Sequence, residues 1–126
     1  MLERITEGNN KNLKTLYGGE TDVLQKQALR YTAILNKFQE TYKSDQVAIF
    51  SSPGRSEIGG NHTDHNHGRL LAGAVNLDNI AAAAKNSTNI INILSAEYPP
   101  FKVDLSRLNP DEKEFYTSAS LVRGIC

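Results

Sequence analysis

Cysteine is almost missing from this chain: Cys126 is its single thiol, so no internal disulfide can form and a thiolate metal cluster has too few ligands. A surplus of one charge is missing too. Fourteen Lys and Arg balance fourteen Asp and Glu, and neither sign forms a long run, which removes the electrostatic footprint of a nucleic-acid or anionic-membrane binder. No stretch approaches the roughly 20 apolar residues of a membrane span. The start, MLERITEGNNKN, lacks the apolar centre of a secretory signal. These absences predict a soluble, cytoplasmic protein with no nucleic-acid and no membrane partner. At 126 residues and 39% hydrophobic content, one small domain can bury a core but is short for an enzyme with two substrates.

What is present is unevenly spread. Residues 1–20 are polar and glycine-punctuated, with Leu13, Leu16 and Tyr17 as their apolar cluster, and read as a turn of helix or an N-terminal arm before a domain over 21–126. From Thr21 or Asp22 as N-cap, Leu24, Ala28, Tyr31, Leu35, Phe38 and Tyr42 recur at spacings of three and four, which predicts an amphipathic helix over about 22–43 with Tyr31 and Tyr42 packed in the core. The run VAIF at 47–50 predicts a buried strand that delivers the chain into a turn at Pro53, Gly54 and Arg55. Segments 70–77 and 80–85 read as two strands joined by a tight connection at Asp78 and Asn79. Residues 89–96 and 101–105 read as two more, completing an antiparallel meander. A last helix opens at Asn109 or Pro110, with Phe115, Leu121, Val122 and Ile125 as its apolar side. The fold class expected is α/β in the α+β sense, a mixed or antiparallel sheet flanked by helices.

The chemistry concentrates in 51–76, SSPGRSEIGGNHTDHNHGRLLAGAVN, which holds all three histidines and five of the nine glycines. A phosphate-binding loop of the Walker type fails there: Gly54 and Gly59 have the spacing, but Gly60 and Asn61 stand where lysine and a hydroxyl are required. A metal site is a second reading, since His62, Asp64, His65 and His67 are all possible ligands, although no histidine elsewhere could complete a zinc site. A third is a polar sugar site: Asp64 accepts two hydroxyl hydrogen bonds, Asn61 donates and accepts, and His62 does either by tautomer.

The segment PGRSEIGGNHTDHNHGRLL resembles the signature of galactokinases, within the GHMP kinase superfamily. Pro53, Gly54, Arg55, Gly60, His62, Thr63, Asp64 and Gly68 fall in register with it. The resemblance implies a GHMP-kinase-like fold whose N-terminal part binds galactose or a closely related hexose. It implies Arg55 as the catalytic cation that stabilises phosphoryl transfer, and Asn61, His62, Thr63 and Asp64 as the sugar-binding wall, with Asp64 the main acceptor. Asn61 replaces a glutamate of the usual motif, Glu57 an asparagine, and His65 a tyrosine. The family also uses ATP and Mg2+, with ATP in a glycine- and serine-rich loop, whereas no glycine occurs here between Gly73 and Gly124. The chain is thus expected to be the sugar-recognition portion of a longer, ATP-dependent kinase, inactive alone and prone to self-association through surface left uncovered. Alternatives are a non-catalytic sugar-sensing module and a metal-binding domain built on the HTDHNH cluster.

Overall fold

The computed structural model describes residues 11–44, 46–60 and 63–126, with only the backbone at Asp64. The chain divides into two compact units, Met1–Lys85 and Asn86–Cys126. Both are α+β, with antiparallel two-stranded sheets.

In the first unit, helix α1 (Lys11–Tyr17) leads into the long helix α2 (Thr21–Tyr42). The three- and four-residue spacing does what it predicts: Leu24, Ala28, Tyr31 and Leu35 form one buried stripe, joined by Leu13 of α1 and flanked by Tyr17, Val47, Ile49 and Ile80. The stripe stops there. Phe38 is half-buried, and Tyr42 is exposed and packs its ring on Phe38 at 4.9 Å, so Tyr42 is not a core residue. Glu20 occupies the N-cap position without a side-chain cap, and Asp22 places its charge in the positive first turn. Lys43 ends the helix in the left-handed conformation, its N–H donating to the Gln39 carbonyl.

Strands β1 (Ala48–Gly59) and β2 (Leu71–Ala83) make a long antiparallel ribbon. This corrects two expectations. Pro53, Gly54 and Arg55 lie within β1 rather than in a turn, and Asp78 and Asn79 lie within β2 rather than between two strands. Alternation explains the second: Asp78, Ile80 and Ala82 share a half-buried register, while Leu77, Asn79, Ala81 and Ala83 are exposed. A turn would have interrupted that phase. The ribbon is irregular at one place that matters. Between the pairs Pro53–Asp78 and Arg55–Ala74, β1 passes through Gly54 alone while β2 passes through Val75, Asn76 and Leu77. Such a bulge raises local twist and re-aims the residues beside it.

In the second unit, β3 (Ile90–Ile93) pairs with β4 (Phe101–Asp104), and Val103 is fully buried. The helix expected from 110 begins later. Glu112–Glu114 is a single 3-10 turn capped by Asp111, and helix α3 (Ser118–Ile125) starts after its N-cap Thr117. Phe115 therefore precedes the helix, and Leu121 and Ile125 are exposed. The unit is tied by Arg123. Its Nε and Nη2 donate to the two Glu114 carboxylate oxygens at 2.8 Å each, and its Nη1 donates to the carbonyls of Asp104 and Arg107. A planar fork with this many acceptors joins α3 to the end of β4 without a large core.

Candidate sugar-recognition site

Of the sequence candidates, the structure describes Arg55, within β1 beside the bulge, and Thr63, at the start of the 3-10 turn between β1 and β2. Arg55 follows the bulge, opposite Ala74, with 69% of its side chain exposed. Its Nη2 lies 3.5 Å from Glu57 Oε1, two residues further along the same face of the strand. Glu57 is itself only 14% exposed, so the carboxylate is held against the ribbon while the guanidinium reaches outward. An arginine so placed keeps most of its five donors available to an anionic ligand.

From Gly59 the chain turns through a tight loop. Asn61, His62 and the Asp64 side chain, three of the sugar-binding candidates, lie outside the described residues. Thr63 opens a 3-10 turn (Thr63–Asn66) that carries Asp64 and His65. The Thr63 N–H donates to the Gly60 carbonyl at 2.8 Å, and its hydroxyl lies 2.6 Å from the same carbonyl and 3.1 Å from that of Arg69. The Gly68 N–H donates back to the Thr63 carbonyl at 2.8 Å, while His67, immediately before it, has a φ of 59°. This is a helix-ending arrangement in which a left-handed residue lets the next amide reach five residues back. It uses histidine where glycine is usual. His65 and His67 are both exposed.

Two glycines let the loop close this tightly. Gly60 has a φ of 84°, and a Cβ there would collide with the Arg69 carbonyl and Leu70. A Cβ on Gly68 would fall 2.5 Å from the Thr63 Cβ. Among the described residues no group of three His, Cys, Asp or Glu side chains could hold a metal ion, and the metal reading gains no support.

Sequence reasoning missed the cluster beneath β1. Asp78, with 6% of its side chain exposed, accepts from the Arg30 guanidinium, from Ser51 Oγ at 2.5 Å and from the Tyr17 hydroxyl at 2.5 Å. Tyr17 thereby spends its proton, so the Tyr31 hydroxyl, 2.9 Å away, donates to it. Arg30 also donates to the Asp78 carbonyl at 2.5 Å. Burial pushes the Asp78 carboxyl up, but the donors Arg30, Ser51 and Tyr17 outweigh it and bring its pKa down to about 2. Burial, reinforced by the Asp78 carboxylate, pushes the Tyr17 phenol well up. The cluster joins α1, α2, β1 and β2, and it fixes β1 four residues before Arg55.

The signal that could have found Asp78 is its phase: one acid in register with Ile80 and Ala82 needs buried partners. No helix among the described residues is long and apolar enough to cross a membrane.

Comparison with known proteins covers the same region. The family described as "Galactokinase galactose-binding signature" matches residues 36–85, from the end of α2 to the end of β2. The galactokinase of Candida parapsilosis is 32% identical over 95 residues, covering 72% of this chain and 19% of that protein. That of Candida maltosa is 37% identical over 73 residues (57% and 34%), and that of Streptococcus suis 31% over 84 residues (64% and 22%). The chain spans about a fifth to a third of the length of these relatives. No solved structure matches it. The chain is therefore similar to galactokinases over a part of their length, and the matched region carries a galactokinase galactose-binding signature.

Proposed function

We propose that the chain forms the sugar-recognition wall of an ATP-dependent kinase that transfers the γ-phosphate to the anomeric hydroxyl of galactose. The observation that supports this reading is where the signature falls: it covers the β1–β2 ribbon seated on α2 and the connection between its strands, and the exposed Arg55 follows the bulge in that ribbon, five residues before Gly60. Arg55 stabilises the charge that develops on the transferring phosphoryl group, a task of position and electrostatics. Asp64 accepts from neighbouring ring hydroxyls, with Asn61 and His62 beside it. Asn61 supplies a neutral amide where the usual motif has a carboxylate, so the preference among galactose and related hexoses is set partly there.

ATP and Mg2+ are the work of other residues of such a kinase. The glycine-poor stretch 74–123 offers no phosphate loop, and the described residues offer no metal-ligand cluster, so no step is assigned to the ion here. The chain acts in the cytoplasm on a soluble sugar and by itself releases no ADP. A coupled ADP-release assay with ATP and galactose tests this: turnover by the 126 residues alone would overturn the division of labour. In a kinase carrying this sequence, Arg55→Lys lowers kcat about 100-fold with little change in galactose KM, because lysine keeps the charge and loses the fork. The same missing glycines favour one second reading, a sugar sensor without catalysis, for which galactose binding without phosphorylation by the whole gene product is the mark.

A further inference from the structure

We infer that Glu57 is a built-in competitor for the Arg55 guanidinium, so that a phosphate-bearing ligand takes the arginine from a carboxylate of the chain itself; this deepens the kinase reading and rests on it for the sugar part of the ligand. Three observations carry it. The first is register. Arg55 and Glu57 stand two residues apart in β1, opposite Ala74 and Ala72 of β2, so the two side chains leave one face of the strand together and the residues across from them bring no charge. The second is distance. Arg55 Nη2 lies 3.5 Å from Glu57 Oε1, within reach of ionic attraction but longer than a well-formed hydrogen bond. The third is exposure. The Glu57 side chain is 14% exposed and that of Arg55 69%, so the carboxylate is the fixed partner and the guanidinium the one that can leave.

These features set a hierarchy of partners for Arg55. One carboxylate oxygen at that distance holds an exposed guanidinium weakly. A phosphate offers two oxygens to the planar fork and a larger charge, so it displaces Glu57. The carboxylate stays behind, held against the ribbon. It lowers the apparent affinity for the anion twice, by the fraction of Arg55 it occupies and by repelling the group that replaces it. A neutral sugar carries neither penalty. Glu57 thus sets how readily Arg55 is surrendered to a phosphoryl group.

The test uses the chain itself, with the Arg55 side-chain Nε–H resonance as reporter and inorganic phosphate, D-galactose 1-phosphate and D-galactose as probes. Glu57→Gln keeps the shape and removes the charge. The competitor predicts that this substitution speeds rotation of the Arg55 guanidinium about twofold in the ligand-free chain, and tightens inorganic phosphate and D-galactose 1-phosphate about three- to fivefold. It predicts that D-galactose affinity stays within about 1.5-fold. Unchanged amide exchange in the core of α2 shows that the variant is folded. Phosphate affinity that does not rise in Glu57→Gln overturns the competitor, and affinity that falls makes Glu57 a support for Arg55 and overturns it too. Equal tightening of both sugars makes the effect one of shape rather than charge, and again overturns it. Phosphate tightened at Arg55 in a chain that takes up neither sugar supports the competitor and overturns the sugar-site reading.

Discussion

Arg30 of α2 and Asp78 of β2 form the ion pair that locks the ribbon to its helix, with Arg30 donating to the Asp78 carboxylate and also to its main-chain carbonyl at 2.5 Å. The pair differs from an ordinary surface bridge because Asp78 is nearly buried, with Ser51 and Tyr17 as further donors. Surface pairs are worth little, whereas removing one partner of a desolvated network strands the others.

Asp78→Asn tests that statement. The amide keeps the volume, weakens three accepted hydrogen bonds and leaves Arg30 without its counter-charge, so urea denaturation should show a loss of about 2 kcal/mol. Tyr17→Phe, which removes one donor to Asp78 and the acceptor used by Tyr31, should cost about 1 kcal/mol. A loss below about 0.5 kcal/mol for Asp78→Asn would mean that the network is incidental.

The same carboxylate predicts an acid limb. Its folded pKa of about 2 lies below the ordinary value of about 3.9 for an aspartate in an unfolded chain. The stabilisation is therefore fully present above about pH 4 and is lost as pH falls through about 2. Thermal midpoints of the unaltered chain should fall over that window, and those of Asp78→Asn should fall less. Parallel pH profiles for the two proteins would contradict this assignment.

Leu35 tests the helix stripe. It is buried in the core with Leu24, Ala28, Tyr31 and Leu13, and Leu35→Ala should cost about 2–5 kcal/mol by leaving a cavity. The same substitution at Leu29, which is 73% exposed on the same helix, should change stability by less than about 0.5 kcal/mol. Equal effects at the two positions would refute the register.

In the second unit, Arg123 is the tie. Arg123→Lys should loosen it although the charge remains, because an ammonium cannot reproduce two parallel bonds to Glu114 together with two carbonyl bonds. Faster amide exchange at Leu105, whose N–H donates to the Asn89 carbonyl, is the readout. Exchange unchanged from the native rate would show that the hairpin holds α3 by other means.

How much of this was legible in the sequence depends on the kind of force involved. The α2 stripe was legible because apolar burial leaves a period, and Leu24, Ala28, Tyr31 and Leu35 carry it. Its end at Leu35 was not, since Phe38 and Tyr42 continue the period with nothing in the core left to meet them. The β1–β2 ribbon was half-legible: VAIF announced a strand, but its extension through Pro53 and Gly54 depends on cross-strand pairs with residues about 25 positions away. Turn chemistry at Asp78 and Asn79 was over-read for the same reason, because the partners that make an aspartate at home in a strand, Arg30, Ser51 and Tyr17, come from three other elements. At the loop, the motif announced a polar site, whereas the closure made by Thr63, His67 and Gly68 is backbone geometry that residue types do not display.

The most direct test of the central claim is a calorimetric titration of the folded chain with D-galactose, beside the same titration of Asp64→Ala. The sugar-recognition account predicts saturable binding at one site per chain, weakened at least about tenfold by the substitution, as expected when a charged acceptor of hydroxyl bonds is removed. A folded chain that takes up no galactose, or one whose affinity is indifferent to Asp64→Ala, would contradict it.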